Sequence, residues 1–302
     1  MTSTTARASA DGRLEHGRAL RALLTGACVI GAAPILVRLS DVGPAAAGAW
    51  RLLFALPLLA ALAARTPREN GGPSPLAMLA GVAFALDLGF WHYGIANTSV
   101  ANATVLTNLT PVVVTAFAWI MFGQRPTRVF VAAVALAVGG AWIMAAARGG
   151  GTAGPHPLRG DLLSLATAFW YALYFLAMSA ARRHQAATRV MFWSTATGAA
   201  LLVGCAWLLD ESLVPASTGG WIACAALGIV HVAGQGSIAW ALGKLPAATA
   251  SVTVLVQPVV AAVLGWVVFG ERLGFWQSAG AAIALSGVLL AQRSAIARTV
   301  RL

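Results

Sequence analysis

The chain has 302 residues, of which 59% are hydrophobic and only 10% are charged, and its formal net charge is +11. Soluble globular domains carry about 25% charged residues, so this composition excludes an ordinary soluble protein and predicts an integral membrane protein. The three cysteines stand inside apolar runs, without the spacing of a metal site or a disulfide framework. We interpret them as small buried hydrophobic residues.

Ten apolar stretches are long enough for membrane-spanning helices, which need about 20 residues each. They cover residues 20–39, 45–64, 75–95, 101–122, 128–147, 161–181, 188–209, 220–240, 247–269 and 274–292. The first stretch is too long for the apolar part of a secretory signal, so we predict that it is retained as a helix. The remaining segments are a tail at 1–19, a Gly/Pro-rich linker at 148–160 and a second tail at 293–302.

The positions of the basic residues predict the orientation of the chain. Most arginines fall in segments that face the cytoplasm if the N-terminus is inside the cell. Because cytoplasmic loops of membrane proteins are enriched in Lys and Arg, both tails are predicted to be cytoplasmic. The same bias accounts for the positive net charge, so we expect membrane lipid around the protein and no nucleic acid as a partner.

Two distant segments repeat each other. TPVVVTAFAWIMFGQR begins at Thr110, and QPVVAAVLGWVVFGER begins at Gln257, 147 residues later. The same offset superposes the flanking small residues without a gap, which indicates an internal duplication. Each half holds five predicted helices, so the second half enters the membrane from the opposite side. The sequence therefore predicts an all-α polytopic membrane protein, with two inverted five-helix repeats at 20–147 and 161–292 around a central cavity.

With these motifs, and with AWRLLFA at 49–55 and GVLLA at 287–291, the chain resembles the drug/metabolite transporter superfamily in its ten-helix EamA-type branch. The resemblance extends from residue 20 to residue 292. It implies alternating access around a cavity lined mainly by the first, third, fourth, sixth, eighth and ninth helices. Bacterial members include exporters of amino acids and related metabolites. Gln124 departs from the pattern, which often has Glu, as Glu271 does in the second half.

Two charged residues lie deep inside predicted helices, Arg51 in the second and Asp87 in the third. Charges within a membrane usually face the protein interior and pair with one another, so we expect an ion pair or helix anchor at these positions. A gate or substrate contact and a proton-coupling site remain as alternatives. His92 on the third helix is a further candidate for proton coupling.

Further polar and aromatic residues are candidates for substrate contacts, with core packing or interhelical hydrogen bonding as the alternative. They are Asn108, Trp170, Tyr171, Tyr174, His231, Gln235 and Gln257. His231 is also a candidate proton relay. Pro111 and Pro258 occupy equivalent positions within the fourth and ninth helices and each removes a backbone donor. They are candidate hinges, with packing bends as the alternative.

Motifs of ATP binding, serine hydrolysis and zinc proteolysis are absent from the sequence. We therefore predict a secondary transporter of the bacterial inner membrane, with no enzymatic activity, cofactor or metal. It is predicted to export small amphipathic metabolites, with amino acids as the leading candidates. A multidrug or cationic-compound exporter is the main alternative, and an intramembrane lipid enzyme is a remote one. Proton coupling and facilitated diffusion both remain open, and the duplication predicts a self-sufficient monomer.

Overall fold

The computed structural model describes residues 2–66, 72–98, 106–147, 155–269 and 274–299. The first half contains α1 (Thr2–Ile30), α2 (Ala33–Arg38), α3 (Pro44–Ala64), α4 (Pro75–Asn97), α5 (Thr110–Phe122) and α6 (Arg128–Ala147). The second half contains α7 (Pro157–Ala181), α8 (Ala187–Leu208), α9 (Thr218–Val230), a π-helical turn (His231–Gln235), α10 (Gly236–Leu242), α11 (Ala247–Thr253), α12 (Val256–Phe269) and α13 (Phe275–Thr299). The described residues contain no β-strand.

Seven helical segments are long and apolar enough to cross a membrane. They are Leu14–Arg38, Pro44–Ala64, Pro75–Gly94, Pro157–Ala181, Ala187–Leu208, Thr218–Leu242 and Ala247–Val268. Shorter apolar helices cover Thr110–Ile120, Arg128–Ile143 and Ser278–Ala291. All of these segments fall on apolar runs expected from the sequence. An all-helical, multi-pass membrane protein is therefore confirmed, while the count of ten spans stays a prediction.

The first span differs from its predicted form. Helical structure begins at Thr2, well before residue 20, and it breaks between α1 and α2. Pro34 lies just after the break and has no N–H to donate to the carbonyl of Ile30. A Cβ atom at Gly31 would lie only 2.6 Å from the Cβ atom of Val260. The break therefore fits closely against α12.

Pro111 and Pro258 lie in the first turn of a helix, at equivalent positions of the two predicted spans. α5 begins at Thr110, and α12 begins at Val256 after the end of α11. The carbonyl of Thr107 accepts a 2.8 Å hydrogen bond from the Thr110 hydroxyl, because Pro111 cannot donate one. Both spans are therefore interrupted just before the proline. Residues 99–105, where the fourth span was predicted to begin, lie outside the described part of the chain.

Equivalent helices of the two halves pack against each other in antiparallel directions. α6 lies along α13. The closest contact of α6 on α13 and the closest contact of α13 on α6 involve equivalent residues of the two repeats. A Cβ atom at Gly140 would lie 2.3 Å from the backbone N of Ala284, and one at Gly287 would lie 2.4 Å from the backbone N of Ala137. The offset of 147 residues converts Gly140 into Gly287 and Ala137 into Ala284. The repeat seen in the sequence is thus present in the packing.

A second pair of equivalent glycines marks the contacts between α4 and α8 and between α9 and α3. A Cβ atom at Gly81 would lie 2.3 Å from the carbonyl oxygen of Ser194, and one at Gly228 would lie 2.5 Å from the Cβ atom of Phe54. Small residues let helix backbones approach closely in membranes, where packing and hydrogen bonds drive association. The helices that surround the centre are therefore held by close backbone contact.

The two halves are also connected at each end of the fold. At one end, Glu211 accepts hydrogen bonds from the backbone N–H groups of Ala45 (3.2 Å) and Ala46 (2.9 Å) and from the Tyr93 hydroxyl. A carboxylate at a helix N-terminus complements the helix dipole. At the other end, the hydroxyls of Thr66 and Thr188 lie 2.8 Å apart. A carboxylate therefore connects the halves at one end, whereas hydroxyls and the Lys244–Glu15 ion pair connect them at the other.

Replacement of Gly140 by leucine is expected to destabilise the protein, because the new side chain would overlap the backbone of α13. Overpacking of this kind costs about 1–3 kcal/mol, and contact with backbone adds to it. The midpoint of thermal unfolding is measured in detergent, with fluorescence size-exclusion chromatography to monitor the folded protein that remains after heating. The adjacent Gly139→Leu is the matched control, since nothing lies within 4 Å of a Cβ atom there. Equal losses in the two variants would contradict the packing described for Gly140.

Candidate functional site

An arginine and an aspartate side chain lie in the interior of the fold. Arg51 on α3 is 5% exposed and Asp87 on α4 is 8% exposed. Each acts electrostatically on the other, but no ion pair within 4.0 Å joins them. The Nε atom of Arg51 is buried and has no hydrogen-bond partner among the described residues. The pair is therefore close enough to interact and too far apart for direct contact.

The ring of Phe84 connects the charges to the aromatic residues of α7. The Arg51 guanidinium lies 5.3 Å from the centre of this ring, within the range of cation–π attraction. The ring of Tyr174 lies 5.0 Å from Phe84, and Tyr171 stacks on Tyr174 with centroids 5.8 Å apart. Both tyrosines interact electrostatically with Arg51 and Asp87. One aromatic wall thus lies beside both charges.

The π-helical turn supplies two polar side chains to the same region. His231 and Gln235 are the first and last residues of the turn, and both are buried. His231 lies 5.3 Å from the Phe84 ring, and its Nε2 atom is 3.0 Å from the hydroxyl of Thr195. Single π-helical turns inside α-helices occur often at functional sites. Here the turn directs a histidine and an amide toward the buried charges.

Two side-chain amides complete the arrangement. The Tyr171 hydroxyl lies beside the amides of Gln235 and Gln257, without a hydrogen bond of ordinary length. Gln257 is the second residue of α12, immediately after the interruption that precedes Pro258. Together these side chains define the central cluster: Arg51, Phe84, Asp87, Tyr171, Tyr174, Thr195, His231, Gln235 and Gln257. Both halves of the chain contribute to it.

The central cluster is rich in polar atoms that the described residues do not pair. They are the Nε of Arg51, the hydroxyl of Tyr174, the Nδ1 of His231, the Oε1 of Gln235 and the Nε2 of Gln257. A buried polar atom without a partner costs about 1–3 kcal/mol, so folded proteins seldom keep several of them together. Such a concentration is typical of a site that binds a polar ligand or water.

Besides the two prolines, three predicted site residues lie outside the central cluster. Trp170 packs against Phe90 and Phe169, at centroid distances of 6.0 and 5.2 Å. Asn108 is buried in the interrupted turn before α5, and its Nδ2 atom has no partner among the described residues. His92 donates from Nδ1 to the carbonyl of Pro44 at 2.8 Å and interacts electrostatically with Arg51. His92 thus lies between the cluster and the start of α3.

Phe84 and Thr195 belong to the central cluster, although the sequence did not single them out. Phe84 precedes Asp87 by three residues, a spacing that places both on one helix face. Thr195 lies in a run with several hydroxyl residues, which offered no distinguishing signal. Among the described residues, no group of three or more His, Cys, Asp or Glu side chains is arranged to hold a metal ion.

The sequence profile of the EamA-like transporter family matches residues 18–146 and again residues 158–292. The chain belongs to the EamA-like transporter family. The two matches coincide with the two halves of the fold, so each half is one copy of the family unit. This EamA-like protein, of the drug/metabolite transporter superfamily, is therefore a membrane transporter.

Curated relatives agree with this assignment. The chain is 26% identical over 227 residues to an "Uncharacterized transporter" of Archaeoglobus fulgidus, which covers 75% of this chain and 79% of that protein. It is 28% identical over 260 residues to "Uncharacterized transporter YwfM" of Bacillus subtilis, covering 82% and 83%. A solved crystal structure superposes with a TM-score of 0.75 at 22% identity, over 95% of this chain and 98% of the other. That likeness shows the fold alone.

Replacement of Thr195 by valine is expected to destabilise the EamA-like protein, because His231 then loses the hydrogen bond at Nε2. The loss should be about 1–3 kcal/mol, which thermal unfolding in detergent detects. Thr197→Val is the matched control on the same helix, since the Thr197 hydroxyl bonds only to the carbonyl of Trp193 one turn earlier. A Thr195→Val protein as stable as the control would mean that this hydrogen bond contributes nothing.

Proposed function

We propose that this transporter exports small amphipathic metabolites, with amino acids as the substrate class, across the bacterial inner membrane. One observation carries the proposal: the unpaired polar atoms of the central cluster come from both halves and lie beside an aromatic wall. Amides, hydroxyls and two opposite charges suit a zwitterion, whereas the aromatic wall suits its apolar side chain. A multiply charged anion would find only one cation, Arg51, in the cluster.

Alternating access between two inverted five-helix repeats is the mechanism that we propose. The antiparallel, reciprocal contacts of α6 with α13 support it, because exchange of the two halves leaves these contacts unchanged. The interruptions before Pro111 and Pro258 support it as well. Interrupted helices at equivalent points of two repeats are typical of transporter binding sites. The bias of basic residues supports cytoplasmic tails at both ends of the chain.

A cationic-compound exporter is the second candidate, and Asp87 is the observation that favours it. A buried carboxylate beside the rings of Tyr171 and Tyr174 would suit an organic cation. Asp87, His92 and His231 are the candidates for proton coupling, and transport down a concentration gradient needs none of them.

The test of the proposed function is counterflow in proteoliposomes that hold the purified protein. Vesicles are preloaded with one unlabelled amino acid and offered its labelled form, for each of the twenty amino acids in turn. Saturable uptake that competing amino acids inhibit is the expected result. Labelled tetraphenylphosphonium is offered in parallel as the organic cation. Uptake of the cation alone, with no amino-acid counterflow, would overturn the amino-acid proposal.

Replacement of Gln257 by leucine is expected to raise the KM for counterflow about tenfold or more, because the ligand loses one polar contact. Leucine has a similar volume, so the packing around residue 257 is kept. Gln235→Leu should act in the same direction. Ser286→Ala on α13 is the control, since the exposed hydroxyl of Ser286 bonds only to the carbonyl of Ala282 within its own helix. Unchanged KM values in both glutamine variants would remove these amides from the site.

Replacement of Pro111 and Pro258 by alanine is expected to lower the maximal rate of counterflow several-fold at unchanged KM, because an alanine N–H can restore the interrupted helix. The glutamine variants are expected to change KM, whereas the proline variants are expected to change only the maximal rate, so the two effects can be told apart. An altered KM with an unchanged rate would place the prolines in substrate binding instead of motion. Pro57→Ala, within α3, is the matched control.

A further inference from the structure

The buried side chains of Arg51 and Asp87 lie near each other without forming an ion pair. Each is more than nine-tenths buried, and each acts electrostatically on the other without direct contact. The contrast with Lys244 and Glu15 is informative, because those side chains form a direct ion pair at a far more exposed position. An exposed pair gains little from contact, whereas buried opposite charges gain much more. Separation in the interior therefore needs a reason.

Phe84 provides the structural part of that reason. Its ring lies against the Arg51 guanidinium and belongs to the same helix as Asp87, three residues away. The same ring contacts Tyr174 and His231, so packing on two further helices fixes its position. The guanidinium is therefore held at the ring, and its buried Nε atom remains unpaired among the described residues.

A ligand with both charges would satisfy both side chains at once. The guanidinium fork matches a carboxylate, and a carboxylate such as that of Asp87 accepts hydrogen bonds from an ammonium group. In an α-amino acid the carboxylate and the ammonium are attached to one carbon atom, so a single small molecule can lie between two charges that do not touch. A lone cation or a lone anion would leave one buried charge without a partner, which is costly.

We infer that Arg51 binds the carboxylate and Asp87 the ammonium group of a zwitterionic substrate, so that this pair determines specificity. The inference rests on the proposed function, and it assigns the two residues a role that a structural ion pair or a proton-coupling site does not include. The rings of Tyr171 and Tyr174 then face the remainder of the substrate. His92 and His231, which interact electrostatically with Arg51, are the other titratable groups around it.

The experiment uses the amino acid with the highest wild-type counterflow, together with its amide and its 2-hydroxy acid as competitors. The amide keeps the ammonium group and lacks the carboxylate, whereas the 2-hydroxy acid keeps the carboxylate and lacks the ammonium group. Inhibition by each compound is measured for the wild type, Arg51→Gln and Asp87→Asn. Lys244→Gln is the control for loss of a paired charge outside the cluster.

A crossed pattern is expected. Arg51→Gln should bind the 2-hydroxy acid at least about tenfold more weakly and retain inhibition by the amide. Asp87→Asn should lose inhibition by the amide to a similar extent and retain inhibition by the 2-hydroxy acid. In Lys244→Gln, both compounds should inhibit counterflow as they do in the wild type. A general loss of stability cannot produce opposite preferences in two variants, so this readout separates binding from a structural role.

Two results would overturn the inference while the proposed function stands. One is equal weakening of both analogues in each variant, and the other is loss of pH dependence in Asp87→Asn with unchanged inhibition constants. If a neutral variant fails to fold, Arg51→Lys and Asp87→Glu keep the charges and change their reach, and the same crossed weakening is expected. Absence of amino-acid counterflow in the wild type would instead overturn the proposed function itself.

Discussion

The interior of this transporter contains polar atoms that no group in the described part of the chain pairs, and hydrocarbon around the fold offers no hydrogen bonds to replace them. This constraint limits where such atoms can lie. Charges and amides facing lipid would destabilise the helices that carry them, so they are collected at the centre, where α3, α4, α7, the π-helical turn and α12 converge. The surrounding helices must hold that centre firmly, because loose packing would let the charges collapse into contact.

The close glycine contacts supply this firmness without adding polar groups. Gly81, Gly140, Gly228 and Gly287 place backbone directly against the neighbouring helix. In contrast, the interruptions of the helical hydrogen-bond pattern lie before Pro111, before Pro258 and at the π-helical turn, near the central cluster or the buried Asn108. Close contact occurs at the π-helical turn as well, where a Cβ atom at Gly26 would lie 2.6 Å from the carbonyl oxygen of Gly234. Interrupted backbone is therefore packed as closely as the regular helices around it.

Much of this arrangement could be predicted from the sequence. Arg51, Asp87, Tyr171, Tyr174, His231, Gln235 and Gln257 stand out because each is a polar or amphipathic residue in an otherwise apolar run. The duplication was visible because Trp, Pro and Gly recur in one register. Phe84 was not predictable in the same way, since one phenylalanine among apolar residues gives no local signal of a cation or a tyrosine beside it. The helix break between α1 and α2 has a local signal in Pro34, but its close fit to Val260, more than 200 residues away, is not contained in the periodicity of one segment.

The two halves share a backbone plan and differ in the side chains that they contribute. Arg51, Phe84 and Asp87 come from the first half, whereas the tyrosines, His231 and both amides come from the second. In the proposed alternating-access mechanism, the shared backbone plan permits two related conformations, and the asymmetric side chains give them different energies and one substrate orientation. On this proposal the duplication provides the motion, and the divergence of the halves provides the specificity that a symmetric site would lack.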